Sequence, residues 1–102
     1  MSVPRLHIVV IEMFRWLNKQ GVESIKGFAL QRMDRFHYRY SEGPKVMRVD
    51  VEPMTTEVID AGSLKKWLPP FEVEPISDAD IVRIERNIDE ALDFMGIGHR
   101  IE

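Results

Sequence analysis

The sequence predicts a single two-layer α+β domain, in which an antiparallel β-meander is packed by an N-terminal and a C-terminal helix. Two observations predict this class. Apolar residues follow helical spacing near both ends of the chain, and apolar and polar residues alternate strictly in its middle. The 102 residues, 44% of them hydrophobic, suffice for one core but not for two. We therefore interpret residues 1–102 as one domain.

The first predicted helix runs from about Pro4 to Gln20. Pro4 suits the first turn of a helix, and Gly21 suits the position just after its end. The β-branched residues between Leu6 and Ile11 leave a strand as the alternative. The helix is favoured because its apolar residues recur three and four positions apart, at Leu6, Val9, Val10, Met13, Trp16 and Leu17.

The middle of the chain predicts a β-hairpin. Residues 35–40 alternate strictly between basic and aromatic side chains, and residues 46–51 alternate again after a turn that contains Gly43 and Pro44. This pattern is typical of an antiparallel pair with one face in the core and one in solvent. The side chains expected on the core face of the first strand are Phe36, Tyr38 and Tyr40.

Two further strands and a connector complete the predicted sheet. We expect strands over residues 25–33 and 57–60, where β-forming residues cluster. Residues 61–76 then form a connector, because the two adjacent prolines at its centre cannot continue a helix. Trp67 and Phe71 are the expected anchors of this connector in the core.

The C-terminal helix is predicted by its caps and by its stripe. Ser77 is a good N-cap, Asp78 and Asp80 lie in the first turn near the positive end of the helix dipole, and Gly96 ends the helix. Residues 97–101 then suggest a short final strand. The apolar stripe expected to face the core consists of Ile81, Ile84, Ile88, Ala91, Leu92 and Met95.

The sequence carries no recognisable catalytic or cofactor motif. Cysteine is absent, which excludes disulfides, thiol nucleophiles and cysteine-ligated metals. The three histidines, His7, His37 and His99, show no metal-ligand spacing. Neither a glycine-rich phosphate loop nor a Gly-x-Ser-x-Gly elbow occurs. We therefore expect no enzyme activity, no cofactor and no metal.

Charge is distributed unevenly along the chain. Residues 1–50 carry a net charge of +4 and residues 51–102 a net charge of −7, which together give −3. Such asymmetry indicates a molecule with a basic and an acidic region. The alternative is that the two halves fold together and neutralise each other locally.

The C-terminal helix carries a candidate partner-binding surface. The residues Asp78, Val82, Glu85, Asp89 and Asp93, which we call the acidic ridge, recur four, three, four and four positions apart and therefore lie on one side of the helix, beside its core stripe. A solvated acidic face is the simpler explanation. The functional hypothesis is a docking surface for a basic protein partner, to which Glu72 and Glu74 of the connector also contribute.

An alternative hypothesis is a small regulatory protein that binds nucleic acid. Its basic sheet face would consist of Arg35, His37, Arg39 and Arg48. Alternation places the neighbouring aromatic side chains on the opposite face, where they cannot stack on bases, and the net charge is negative. Both observations favour a protein partner over a nucleic acid.

Several segments of the chain together suggest a family resemblance. Residues 38–43 lead into the strand at 46–52, and residues 63–70 (Ser-Leu-Lys-Lys-Trp-Leu-Pro-Pro) precede a helix that ends in Ala-Leu-Asp-Phe-Met-Gly at 91–96. Over roughly residues 35–96, this layout resembles small immunity proteins from bacterial polymorphic-toxin and contact-dependent inhibition systems. The resemblance implies a single cytosolic domain that neutralises a cognate toxin by binding it and that has no catalytic residues.

The sequence also predicts where the protein is located and a surface on which it could self-associate. The chain shows no pattern of a secretory signal and no apolar run of 18 residues, so we expect a cytoplasmic protein without a membrane span. Ile8, Ile11 and Phe94 fall outside the predicted core stripes. If they are exposed together, they form an apolar patch on which a homodimer could assemble.

Overall fold

The structure, a computed structural model, describes residues 13–102. Its sheet contains seven strands that lie side by side in chain order, and one α-helix of the described residues packs against it. The strands are β1 (Phe14–Asn18), β2 (Gly21–Ser24), β3 (Phe28–Asp34), β4 (His37–Glu42), β5 (Lys45–Glu52), β6 (Glu57–Ile59) and β7 (His99–Ile101). A 3-10 turn spans Ala61–Ser63, and helix α1 spans Asp78–Met95.

The predicted N-terminal helix is wrong from Phe14 onwards. Phe14–Asn18 is a strand that pairs antiparallel with Gly21–Ser24, and residues 4–12 of the prediction lie outside the described residues. The helical spacing predicted the wrong element because it assigned Trp16 and Leu17 to a core-facing stripe, whereas both side chains are about half exposed. Burial in this segment rests on Phe14, whose ring packs edge-on against Phe28 and stacks on Phe94.

The predicted hairpin is confirmed. β4 and β5 pair in register from His37 opposite Asp50 to Glu42 opposite Lys45, and Gly43 adopts a positive φ of 58° in the turn between them. Tyr38 and Tyr40 are fully buried, as alternation predicts. Phe36 is 53% exposed instead of buried, because it lies in the turn before β4, beyond the strand's regular alternation.

The last strand changes the sheet from antiparallel to mixed. Strands β1 to β6 pair antiparallel, whereas β7 lies parallel to β6, with Glu57 opposite His99. The parallel pair follows from topology, because the connector and α1 cross over between the two strands and return the chain to the start of β6. The sequence predicts the strands at residues 57–60 and 97–101 but not this relative direction.

Helix α1 begins and ends where its sequence predicts. The Ser77 hydroxyl accepts from the Asp80 amide, and the Asp80 carboxylate accepts in return from the Ser77 amide, which forms a capping box. Gly96 closes the helix with a left-handed φ of 75°. Because α1 contacts β2 and β3 on one side and β7 on the other, the sheet curls around it.

The core lies between α1 and the inner face of the curled sheet. Trp67 of the connector is buried there and Phe71 is partly buried against it, so both predicted anchors are confirmed. Of the predicted helical stripe, Ile81 and Met95 are only partly buried. The fully buried residues are Val22, Leu30, Tyr38, Tyr40, Met47, Val49, Ile59, Leu64, Ile84, Ile88, Ala91 and Leu92.

Candidate partner-binding surface

The acidic ridge forms a continuous stripe along α1. At 3.6 residues per turn, its spacings keep the five side chains within about 80° of the helix circumference. Asp78, Val82, Asp89 and Asp93 are exposed, and Glu85 is partly exposed. Val82, 64% exposed, is an apolar side chain one helical turn from both Asp78 and Glu85. The ridge therefore offers a partner negative charge together with one apolar contact.

The opposite flank of α1 is occupied by ion pairs with the sheet. Arg83 contacts both carboxylate oxygens of Glu42, at 3.1 Å from Nε and 3.0 Å from Nη2, and Lys26 Nζ lies 3.2 Å from Glu90. On the ridge side, neither Glu85 nor Asp93 forms an ion pair with any of residues 13–102. Within that part of the chain, Arg83 and Lys26 thus attach the helix to the sheet through ion pairs that do not involve the ridge.

One ridge residue contacts the last strand. His99 of β7 has a side chain only 4% exposed, and its Nε2 lies 2.6 Å from Asp89 Oδ1. Its Nδ1 lies 2.8 Å from the carbonyl oxygen of Ile97. Ligand-type atoms of Asp89, Asp93 and His99 all lie within 4.8 Å of one another.

Burial and hydrogen bonding act in opposite directions on His99. Burial lowers the pKa of the imidazole, whereas the Ile97 carbonyl and the carboxylates of Asp89 and Asp93 raise it. The net result is a pKa above the ordinary value for histidine. These neighbours therefore favour a positively charged ring at the C-terminal end of the ridge.

The two connector glutamates have separate contacts. Glu74 forms an ion pair of 2.5 Å with Lys45, at the start of β5. Glu72 lines a cleft of about 390 Å³ whose other walls include Arg48, Lys66 and Trp67. One oxygen of Glu72 is buried there without a hydrogen-bond partner among the described residues. None of the contacts above joins either glutamate to the ridge.

The candidate nucleic-acid face is only partly assembled. Arg39 and Arg48 are direct cross-strand partners on the exposed face of β4 and β5. His37 instead contacts Asp34 through Nδ1 at 2.9 Å, and its Nε2 lies 3.5 Å from Asp50. The guanidinium of Arg35 lies over the ring of Phe36, 5.8 Å from its centroid.

The aromatic residues of the hairpin give this face little capacity for base stacking. Tyr38 and Tyr40 are fully buried on the core side of the sheet. Phe36, in the turn before β4, is the only one of these three aromatic residues that is exposed. A stacking platform requires several aromatic rings on one accessible surface, and these side chains do not share one.

Of the three apolar residues considered for self-association, the structure describes Phe94. Phe94 is partly buried, stacked on Phe14 with ring centroids 5.1 Å apart. Ile8 and Ile11 lie outside the described residues. Among residues 13–102, no helix is long and apolar enough to cross a membrane.

Sequence reasoning missed the group formed by Asp89, Asp93 and His99. The i,i+4 spacing of the two aspartates was visible, but His99 lies beyond the end of the helix. Gly96 and Gly98 allow the chain to reverse direction and return along α1 into β7. A turn containing two glycines between a carboxylate pair and a histidine is the signal that could have suggested this group.

Comparison with known proteins links the chain to one family. Residues 32–102 match the model of the family described as Immunity protein 74. The matched segment contains the whole acidic ridge, both connector glutamates and all four residues of the basic face. No curated protein and no solved structure matches the chain.

Proposed function

Because the chain belongs to the Immunity protein 74 family, we propose that it neutralises a cognate bacterial toxin by binding it directly, without catalysis. The observation that carries this proposal is the family match, which extends from β3 to the end of the chain. The geometry adds a candidate contact surface in the acidic ridge.

The acidic ridge is suited to a basic partner. The exposed carboxylates of Asp78 and Asp93 and the partly exposed one of Glu85 provide negative charge along α1. Exposed Val82 adds an apolar contact that the partner would remove from water. A toxin that acts on nucleic acid has a cleft lined with cations for phosphate groups, and a row of carboxylates can occupy such a cleft in place of the phosphates.

Glu72 and Glu74 contribute less to this surface than the ridge does. The carboxylate of Glu74 already contacts Lys45, and one oxygen of Glu72 is buried beside the connector. Recruiting either one to a partner requires breaking or rearranging local structure. We therefore place the energetically important contacts on α1.

The test is co-expression with the toxin domain encoded in the reading frame beside this chain's gene. The proposal predicts that the tagged full chain restores growth of cells that produce the toxin and that the two proteins purify together as a complex. A purified toxin assay with increasing amounts of the chain then measures inhibition. Normal toxicity in the presence of the folded chain, together with no complex, would contradict the proposal.

The nucleic-acid alternative is tested in the same preparation. Arg39 and Arg48 are adjacent cations on an exposed face, which is the observation that favours this alternative. If they bind nucleic acid, the chain will shift single-stranded RNA or DNA at low salt, and the shift will disappear as salt is added. We expect no shift, because the two tyrosines of β4 are buried.

A further inference from the structure

His99 lies in the contact between α1 and β7, and a backbone carbonyl beside its ring favours a hydrogen on one of the two ring nitrogens. His99 is almost completely buried, and its Nδ1 lies within hydrogen-bond distance of the Ile97 carbonyl oxygen. A carbonyl oxygen can only accept, so this contact is a hydrogen bond only when Nδ1 carries the hydrogen and donates it. In the neutral imidazole, Nε2 then has a lone pair and no hydrogen.

That lone pair faces another acceptor. Nε2 lies 2.6 Å from Asp89 Oδ1, and an ionised carboxylate can only accept. Within residues 13–102, Nε2 meets no other hydrogen-bonding group. Two acceptors at this distance repel each other unless a proton on Nε2 lies between them. A metal ion could replace that proton only if the Asp89 carboxylate moves away, because two ligand atoms of one tetrahedral Zn²⁺ lie more than about 3 Å apart.

The third member of the group distinguishes a metal site from a simple ion pair. Asp93 lies one helical turn beyond Asp89, and its carboxylate converges on the same place, within 4.8 Å of the other two ligand-type atoms. A single proton needs one carboxylate partner, whereas a divalent cation needs several ligands and more than one negative charge. Exposed Asp89 and Asp93 can rotate to adjust their distances to an ion.

We propose that Asp89, Asp93 and His99 bind a divalent transition-metal ion of the Zn²⁺ type. One imidazole nitrogen and two carboxylates are ligands that suit Zn²⁺, Ni²⁺ or Co²⁺, whereas Mg²⁺ and Ca²⁺ prefer oxygen ligands alone. The Ile97 carbonyl has the role of the outer-shell partner that fixes the orientation of a metal-bound histidine. Because both aspartates are exposed, the remaining coordination positions face solvent.

The site coincides with the C-terminal end of the acidic ridge. A bound divalent cation would neutralise the charges of Asp89 and Asp93 and leave Asp78 and Glu85 as the acidic part of the ridge. Metal binding by the chain alone requires no toxin. Failure of this inference is therefore distinguishable from failure of the proposed function.

The experiment titrates Zn²⁺ into the full chain, purified without a histidine tag, and follows the side-chain nitrogen resonances of His99 by NMR. The expected result is a large shift of the Nε2 resonance at one equivalent of Zn²⁺, with the Nδ1 proton retained. Calorimetry of the same titration gives the affinity.

Three variants make the titration specific to this site. His99→Gln removes the nitrogen ligand and Asp93→Asn removes one carboxylate, and each is expected to weaken Zn²⁺ binding by at least about tenfold. Glu85→Gln, on the same ridge but outside the group, is the matched control and should bind as wild type does. Asp93 is exposed, so its variant tests the site even if His99→Gln fails to fold.

Two results would overturn the proposal. An unchanged His99 Nε2 resonance in the presence of Zn²⁺ would mean that the three side chains form an ion pair only. Equal weakening by Asp93→Asn and Glu85→Gln would mean that Zn²⁺ is attracted by the general charge of the ridge without a defined set of ligands.

Discussion

Two tyrosines of β4 carry hydroxyl groups into the core, where each meets charged partners. Tyr38 donates to Glu57 Oε1 at 2.6 Å and accepts from Arg32 at 2.8 Å. Tyr40 donates to Glu42 and accepts from Asn87 of α1. Burial is the main cause that raises the pKa of both phenols, so both stay neutral and available as donors. These networks connect distant elements because a buried hydroxyl needs partners.

Glu57→Gln is expected to destabilise the fold. Arg32 and Glu57 are 15% and 14% exposed and lie 2.6 Å apart, so removing the negative charge leaves a partly buried guanidinium without its counter-charge. A loss of about 1–3 kcal/mol in the free energy of unfolding is expected. Urea unfolding measures it. The control Glu52→Gln, on an exposed position of β5, should change the free energy by less than about 0.5 kcal/mol; equal effects would contradict the expectation.

Asp80 is expected to make stability depend on pH in the acid range. The hydrogen bonds from Arg83 and from Ser77 lower the pKa of Asp80 from 3.8 to about 2. A folded-state pKa below the unfolded one means that the stabilisation is present above about pH 4 and is lost as the pH falls towards about 2.

The measurement compares urea midpoints of wild type and Asp80→Asn over that range. At neutral pH the wild type is expected to be the more stable protein, because its carboxylate is ionised and accepts from Arg83 and Ser77. The difference should shrink as the pH falls and the carboxylate protonates. A difference that stays constant with pH would contradict the stated origin of the pKa shift.

At the scale of the elements, α1 is specified almost entirely by local sequence. Its N-terminus is fixed by the capping box of Ser77 and Asp80, and its C-terminus by Gly96 in a left-handed conformation. These signals act within a few residues, so they could be read from the sequence alone. The opposite outcome at Phe14–Asn18 shows how a strand pairing overrides an apparent helical stripe.

Gly96→Ala is expected to weaken the C-terminal end of α1. Gly96 has a φ of 75°, a conformation that costs a residue with a Cβ atom about 1–2 kcal/mol. Gly98→Ala is the matched control, since Gly98 lacks a positive φ and a Cβ there meets nothing within 4 Å. Thermal unfolding should show a lower midpoint for the first variant and an equal or slightly higher one for the second. Equal midpoints would exclude the conformational explanation.

At the scale of the whole molecule, charge is segregated around the helix. Arg83 and Lys26 form ion pairs on the side of α1 that faces β2 and the β4–β5 hairpin. The ridge lies on the other flank, towards β7. This arrangement leaves exposed carboxylates on the flank of α1 that bears the ridge. On one flank of α1 the charges are neutralised by ion pairs with the sheet, and on the other flank the ridge carboxylates form an acidic surface.

The ridge is expected to affect the rate of toxin binding more than the lifetime of the complex. Exposed charges accelerate association through electrostatic steering, and salt screens them over about 10 Å at ~0.1 M ionic strength. Glu85→Gln should therefore reduce the association rate with the cognate toxin, and the reduction should diminish as salt is added. Stopped-flow or surface binding measures this, with Glu52→Gln as the control of equal charge change. Identical rates for both variants would exclude the ridge.

The α+β class, the β4–β5 hairpin, the anchors of the connector and both ends of α1 could be predicted from the sequence, because alternation, turn residues and caps act over short distances. Its resemblance to immunity proteins is confirmed by the family match. Three features could not be predicted from the sequence: Phe14–Asn18 is a strand, β7 lies parallel to β6, and His99 lies close to Asp89 and Asp93. Each of these features depends on contacts between residues of different elements. The free energy of strand pairing and burial that stabilises such contacts leaves no recognisable pattern in the neighbouring sequence.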